Sequence, residues 1–165
     1  MESWDRILER EVLRAGRVAV VGIGNVSRGD DAAGTLVARA LLAGPAKPAA
    51  ETALVVPAGE APENYTGLIR AFSPGLVVLV DCASGGRRPG DIFIVDPAAI
   101  AEEDVSTHRI PLSRLVRFIR ETMECRVLVI GIEPSSIAEG RDVSPAVAAA
   151  VREAAAALRR ALAAA

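Results

Sequence analysis

The sequence has few of the residues on which several classes of protein depend. Among its 165 residues are one histidine, His108, two cysteines, Cys82 and Cys125, and only 3% aromatic side chains. Two cysteines are too few for a disulfide framework or for a structural zinc site built from cysteine. So few aromatic side chains leave little surface on which single-stranded bases could stack. These shortages disfavour both a disulfide-stapled domain and a binder of single-stranded nucleic acid.

An excess of positive charge and long hydrophobic runs are also missing. The 19 basic and 21 acidic residues give a formal charge of −2, so no overall positive field exists to hold a phosphate backbone. No apolar run reaches the roughly 18 residues of a membrane span, and residues 1–16 do not resemble a signal peptide. We therefore expect a cytoplasmic, monomeric protein with reduced thiols, no nucleic-acid partner and no membrane insertion.

What the sequence does have is apolar material in a regular pattern. Hydrophobic residues make up 51% of the chain, which suits one domain over residues 1–165 with a single aliphatic core. Apolar, β-branched segments predict strands at 17–23, 52–56, 75–80, 91–95 and 126–132. Segments with helical spacing or helix-start signals alternate with them at 30–42, 62–72, from 96, from 111 and at 144–162.

This alternation predicts a three-layer α/β/α sandwich around a five-stranded, mostly parallel mixed sheet. The strand at 91–95 follows its predecessor too closely for a parallel crossover, which needs about a dozen residues or more. We therefore expect this one strand to run antiparallel to the strand before it.

Ligands of such sheets bind outside the carboxyl ends of the strands, so the loops at 24–31, 57–63, 81–86 and 132–141 are the candidates. The first loop follows Gly22-Ile23-Gly24-Asn25, yet Ser27 stands where a dinucleotide fingerprint needs its third glycine. Asp30 and Asp31 stand where a phosphate-binding loop requires lysine and serine or threonine. Two carboxylates at a helix start would repel a phosphate, so nucleotide binding is disfavoured.

Carboxylates and the single imidazole fit other chemistry. Adjacent carboxylates such as Asp30 and Asp31 can hold a cation or share a proton, although Asp30 is equally a helix N-cap type. Asp81 ends the most apolar strand, where it could also serve as a hydrogen-bond acceptor for a loop. His108 could be an ordinary surface residue, a metal ligand or an acid-base group. Together, Asp31, Asp81 and His108 are a donor set suited to zinc, nickel or iron with positions left open.

Two other catalytic arrangements are disfavoured. Cys82 neighbours Asp81 but points to the other face of the pleat, so we interpret it as a small buried residue rather than a ligand. A serine triad of the hydrolase type is disfavoured because the chain has no G-x-S-x-G motif.

Six segments carry a family resemblance over nearly the whole chain. In order they are GIGNVSRGDDAAG at 22–34, APEN at 61–64, LVVLVDCAS at 76–84, PGDIFIVDP at 89–97, STHRIPL at 106–112 and VIGIEP at 129–134. In these segments the chain resembles the [NiFe]-hydrogenase maturation endopeptidases, especially the branch that serves hydrogenase 3 of the formate-hydrogenlyase type. The resemblance implies that Asp31, Asp81 and His108 converge on a metal-binding cleft as both catalytic and metal-binding residues.

The resemblance also implies a function. Enzymes of this family remove a C-terminal extension from the hydrogenase large subunit after nickel has been inserted. It implies an endopeptidase whose partner is the large-subunit precursor and whose nickel is supplied by that precursor, with zinc or cadmium as possible surrogates. An aspartic-type mechanism and a metal-dependent one both stay open.

Two alternatives stand beside this interpretation. One is a non-catalytic metal- or nucleotide-binding module on the same α/β frame. The other is a different hydrolase on a similar sandwich, such as a peptidyl-tRNA hydrolase, which the Asp30-Asp31 pair and the lack of basic charge disfavour.

Overall fold

A five-stranded sheet forms the centre of the computed structural model, which describes residues 1–99 and 111–165. The strands are β1 (Val18–Ile23), β2 (Ala53–Gly59), β3 (Leu76–Cys82), β4 (Ile92–Ile94) and β5 (Arg126–Ile132). Their order across the sheet is β2-β1-β3-β5-β4. All neighbours are parallel except β4 and β5, which pair antiparallel. The predicted mixed sheet with one antiparallel strand is confirmed.

Helices cover both faces of this sheet. They are α1 (Trp4–Leu13), α2 (Ala33–Ala43), α3 (Thr66–Phe72), α4 (Leu112–Met123) and α5 (Pro145–Ala164). Alternate residues of β3 enter two separate cores: Val78 and Val80 pack with α1, α2 and α5, whereas Val77 and Leu79 pack with α3 and α4. Because β1 and β3 are buried on both faces, their sequences are continuously apolar. The three-layer prediction is therefore confirmed.

None of the helices among the described residues combines the length and the apolar character needed to cross a membrane.

One strand prediction is confirmed and another needs correction. The strand predicted at 91–95 runs antiparallel to β3, as expected, and the structure adds that it pairs with β5, which lies between them. The strand predicted to break at Pro57 continues to Gly59. Because β2 is an edge strand, one side of its backbone is unpaired, and proline is tolerated at such positions.

The helices also begin differently from the prediction. The segments at 30–42 and 62–72 each start with a 3-10 turn, Gly29–Ala32 and Pro62–Tyr65, before the α-helix proper. Pro111 is the N-cap of α4 rather than part of its first turn.

The short helix predicted from 96 is described only as a 3-10 turn at Pro97–Ala99, and its continuation lies outside the described residues. The predicted cap of α5 is confirmed, because the Ser144 hydroxyl oxygen accepts the backbone N–H of Val147 at 3.4 Å.

The first turn of α2 lies directly on the backbone of the two central strands. A Cβ atom added to Gly34 would lie 2.0 Å from the carbonyl oxygen of Val80 and 2.3 Å from that of Ile23. A Cβ on Gly22 would lie 2.1 Å from the Gly34 carbonyl oxygen. The Thr35 hydroxyl donates a hydrogen bond of 2.8 Å to the Gly24 carbonyl. This contact fixes the start of α2 at the carboxyl ends of β1 and β3.

We predict that Gly34→Ala lowers the free energy of unfolding by about 1–3 kcal/mol or more, because the added methyl meets backbone atoms that cannot move aside. Urea denaturation measures this change. The matched control is Gly67→Ala in α3, where the new Cβ meets nothing within 4 Å and alanine favours a helix. Equal destabilisation by both substitutions would contradict the role of Gly34.

Candidate active site

The loop after β1 brings a pair of aspartates to the carboxyl edge of the sheet. Gly24 has a φ of +143°, and a Cβ there would lie 1.8 Å from the Asp31 carbonyl oxygen, so the loop folds tightly over the following turn. The Gly24 N–H donates to the Gly59 carbonyl at 2.9 Å, which ties this loop to the end of β2. The 3-10 turn Gly29–Ala32 then presents Asp30 and Asp31, both buried.

Asp30 joins this turn to the loop between β5 and α5. Its Oδ2 accepts the backbone N–H groups of Ser135 at 2.7 Å and Ser136 at 3.1 Å, and the Ser144 hydroxyl at 2.9 Å. Its Oδ1 accepts the Ser144 N–H at 2.7 Å. Burial alone would raise the pKa of Asp30, but these hydrogen bonds outweigh it and hold the pKa below its ordinary value. Asp30 is therefore a structural acceptor and not the cap of its own helix.

Asp31 turns toward the loop after β1. It is 4% exposed, and its Oδ2 accepts the backbone N–H of Asn25 at 3.1 Å. The Asn25 side chain in turn accepts the Ser27 N–H at 2.8 Å, which shapes the loop as an Asx turn. The two adjacent aspartates thus accept hydrogen bonds from different loops, Asp30 from the loop between β5 and α5 and Asp31 from the loop after β1.

Asp81 lies at the same edge, at the end of the central strand β3. It is 4% exposed and sits in register with Gly131 of β5. Asp81 directly follows Val80, and the Val80 carbonyl oxygen lies against Gly34 in the first turn of α2. Gly34 in turn lies three residues after Asp31. The helix contact therefore brings Asp31 and Asp81 to one edge of the sheet, as the sequence predicted.

A fourth buried carboxylate, Glu133, was not singled out from the sequence. It follows β5, is 7% exposed, and its Oε2 accepts the Gly85 N–H at 2.6 Å. This bond ties the loop after β5 to the loop that follows Asp81. The available signal was the same as for Asp81, namely a carboxylate immediately after a buried strand.

The third predicted ligand, His108, lies outside the described residues. Within residues 1–99 and 111–165, no group of three histidine, cysteine, aspartate or glutamate side chains is arranged to hold a metal ion. Asp31 and Asp81 supply carboxylate oxygens, which suit a divalent cation. The proposed metal site stays a prediction.

Comparison with known proteins places this chain in a family. The family model for HycI, described as hydrogenase maturation protease, matches residues 38–161. The hydrogenase 3 maturation protease of Escherichia coli is 36% identical over 116 residues, which cover 70% of this chain and 71% of that protein. The chain belongs to the hydrogenase maturation protease family. It is thus a peptidase, and the alternative of a non-catalytic module is not supported.

Solved structures of hydrogenase maturation proteases share its fold. The [NiFe] hydrogenase maturation protease HycI of Thermococcus kodakarensis superposes with a TM-score of 0.84 at 35% identity, over 94% of this chain and 98% of that one. The endopeptidase HycI of Escherichia coli gives a TM-score of 0.74 at 30% identity, over 87% and 90% of the two chains. The similarity extends well beyond the residues that match the family model.

For this protease, the electrostatics of the edge exclude a cysteine nucleophile. Burial raises the pKa of the Cys82 thiol, and the negative charges of Asp81, Asp31, Asp30 and Glu133 raise it further. A thiol in such surroundings stays protonated near neutral pH and is a poor thiolate nucleophile. Cys82 is partly buried, and its surroundings support its interpretation as a packing residue.

We predict that Asp30→Asn destabilises the protease by about 2–4 kcal/mol at neutral pH, because an amide cannot accept all the hydrogen bonds of the carboxylate. The folded-state pKa of Asp30 is lowered, so its stabilisation is present above about pH 4 and is lost as the pH falls through the folded pKa. Chemical denaturation of the wild type and the variant from pH 7 to pH 3 measures the free energy of unfolding of each. The difference between the two free energies should decrease as the pH falls.

The control for this experiment is Asp142→Asn, an exposed position on the same β5–α5 loop. Exposed substitutions of this kind usually change stability by less than about 0.5 kcal/mol. If the free energies of unfolding of the wild type and Asp30→Asn differ by the same amount at every pH, the charge of Asp30 is not what stabilises the fold.

Proposed function

We propose that this protease removes the C-terminal extension of a [NiFe]-hydrogenase large-subunit precursor after nickel has been inserted. The observation that carries the proposal is the burial of Asp31 and Asp81 at one sheet edge, in a chain of this protease family. Free cysteines support a reducing compartment, and we place the protein in the cytoplasm as a monomer.

In this proposal Asp31, Asp81 and His108 form an incomplete ligand set that the precursor completes. Two carboxylate oxygens and one imidazole leave coordination positions open on a divalent ion. A precursor that carries nickel would bring the ion together with the peptide bond to be cut. Recognition of the substrate would then also test whether nickel insertion is complete.

The buried carboxylates can contribute to hydrolysis in two ways. A carboxylate can accept a proton from the attacking water, which typically contributes about 10²–10⁴-fold to a rate. Alternatively, the carboxylates can position the nickel of the precursor so that it polarises the scissile carbonyl. The routes differ in what the metal does, but both require Asp31 and Asp81 to keep their charge and position.

We predict that Asp31→Asn, Asp81→Asn and His108→Ala each reduce precursor cleavage by at least about 100-fold. The mass change of the nickel-loaded precursor, followed over time, measures the rate. Asp142→Asn serves as the control because Asp142 is exposed and is not one of the proposed ligands. Wild-type rates in all three variants, with folding verified by circular dichroism, would refute the assignment of the site.

We also predict that cleavage depends on nickel in the precursor. The nickel-loaded precursor should be cut at least about 100-fold faster than the same precursor without nickel, because the ion completes the site. Precursor loaded with zinc or cadmium tests whether another divalent ion substitutes for nickel. Equal cleavage with and without a metal would show that recognition does not use the ion.

A further inference from the structure

The outer face of α4 carries a strip of positive charge in a chain that is slightly acidic overall. Arg114, Arg117 and Arg120 repeat at helical spacing and are all exposed. No ion pair with a described carboxylate involves any of them. The formal charge of the whole chain is −2, so this concentration of positive charge is a local feature of one helix.

Two grooves run along the sides of this strip. One, of about 450 Å³, lies between α3 and α4 and includes Glu63, Thr66, Arg114 and Phe118 in its walls. The other, of about 540 Å³, lies on the far side of α4 and includes Ser113 among its lining residues. Arg114 and Arg117 line both grooves.

Apolar side chains are exposed beside the same charges. Phe118 on α4 is 42% exposed and Leu68 on α3 is 51% exposed. The Arg70 guanidinium lies 5.9 Å from the centre of the Phe118 ring, which is at the outer limit of a cation–π contact. Aromatic and arginine side chains together are the composition enriched at protein interfaces.

The groove between the helices begins at the edge of the sheet that carries the aspartates. Glu63 lies just after the carboxyl end of β2, and Pro111 precedes the first residue of α4. From there α4 runs back for about 18 Å to the residues that precede β5. A substrate segment could therefore extend from the site of Asp31 and Asp81 into this groove.

We propose that the outer face of α4 and the groove between α3 and α4 dock an acidic segment of the large-subunit precursor. The inference rests on the proposed function, since it assigns part of the substrate's binding surface. The arginine strip attracts the acidic side chains, and the exposed Phe118 and Leu68 supply apolar contact.

A polypeptide fits this surface better than a nucleic acid does. Phe118 and Leu68 are exposed beside the arginines, and a segment with both acidic and apolar side chains can contact both, whereas a phosphate backbone contacts only the charge. Because Glu63 and Glu121 also line the groove, the acidic side chains of the segment lie over the arginine strip rather than in the groove.

The test compares two triple variants that remove equal charge. Arg114→Gln/Arg117→Gln/Arg120→Gln removes the strip, whereas Arg39→Gln/Arg152→Gln/Arg160→Gln removes three exposed arginines of α2 and α5 on the opposite face. We expect the strip variant to raise KM for the nickel-loaded precursor about tenfold at low salt, with kcat nearly unchanged. The wild-type KM should rise with salt, as screening shortens the reach of the charges, and that of the strip variant should not.

A second variant tests the apolar part of the surface. Phe118→Ala should raise KM by a similar factor at every salt concentration, because the contact it removes is uncharged. Leu13→Ala on α1 is the control, since Leu13 is 53% exposed and lies away from the grooves. An unchanged KM in both the strip variant and Phe118→Ala would overturn the docking surface.

Binding of the same precursor, measured by biolayer interferometry, separates this inference from the proposed function. If the wild type cleaves the precursor and the strip variant has the same KM and Kd as the wild type, the docking surface alone is overturned. Binding that depends on the strip, without any cleavage, supports the docking surface and overturns the proposed function. The inference would be overturned if heparin bound as tightly as the precursor and both triple variants lost the same affinity. That result would show a general attraction of polyanions to the protein.

Discussion

The arrangement of this protein depends on the contact between the first turn of α2 and the backbones of β1 and β3. At Gly34 there is no room for a side chain, so the helix start rests directly on the carboxyl ends of the two central strands. The turn before it must then cross the edge of the sheet, and its two adjacent carboxylates point to different loops. Asp30 holds the β5–α5 loop, while Asp31 holds the loop after β1. One steric constraint thus fixes both the scaffold and the proposed site.

Burial of several carboxylates at one edge is costly unless each one is compensated. Asp30 is compensated by the donors of three serine residues, and Glu133 accepts a backbone N–H of the loop after β3. Burial raises the pKa of the nearby Cys82 thiol, and the negative charge of these carboxylates raises it further. The positive strip on α4 lies on an adjoining surface. The near-zero net charge of the chain is therefore the sum of two regions of opposite sign. We propose that both regions bind the same substrate.

The strands β1, β3 and β5 could be predicted because strands that pack between two layers of helices are continuously apolar. Prediction failed where partners lie far apart in the sequence. Asp30 resembles a helix cap, but its acceptor oxygens meet Ser135 and Ser144, which are more than 100 residues away along the chain. β4 was assigned the correct direction, because a short connection forbids a parallel return. Its pairing with β5 could not be predicted from the neighbouring sequence, because the pairing depends on the order of the strands across the sheet.

The sequence by itself determined the layer architecture, the family resemblance and the choice of Asp31 and Asp81, because these follow from local apolar patterns and from short motifs. The tertiary structure decided which loop each carboxylate of the Asp30-Asp31 pair holds, and it revealed Glu133 as a tie between two loops. It also placed the α4 arginines beside a groove that begins at the same edge as the aspartates. The physical reason is that hydrogen bonds and electrostatic interactions act between atoms that are close in space, and spatial proximity depends on how the layers pack.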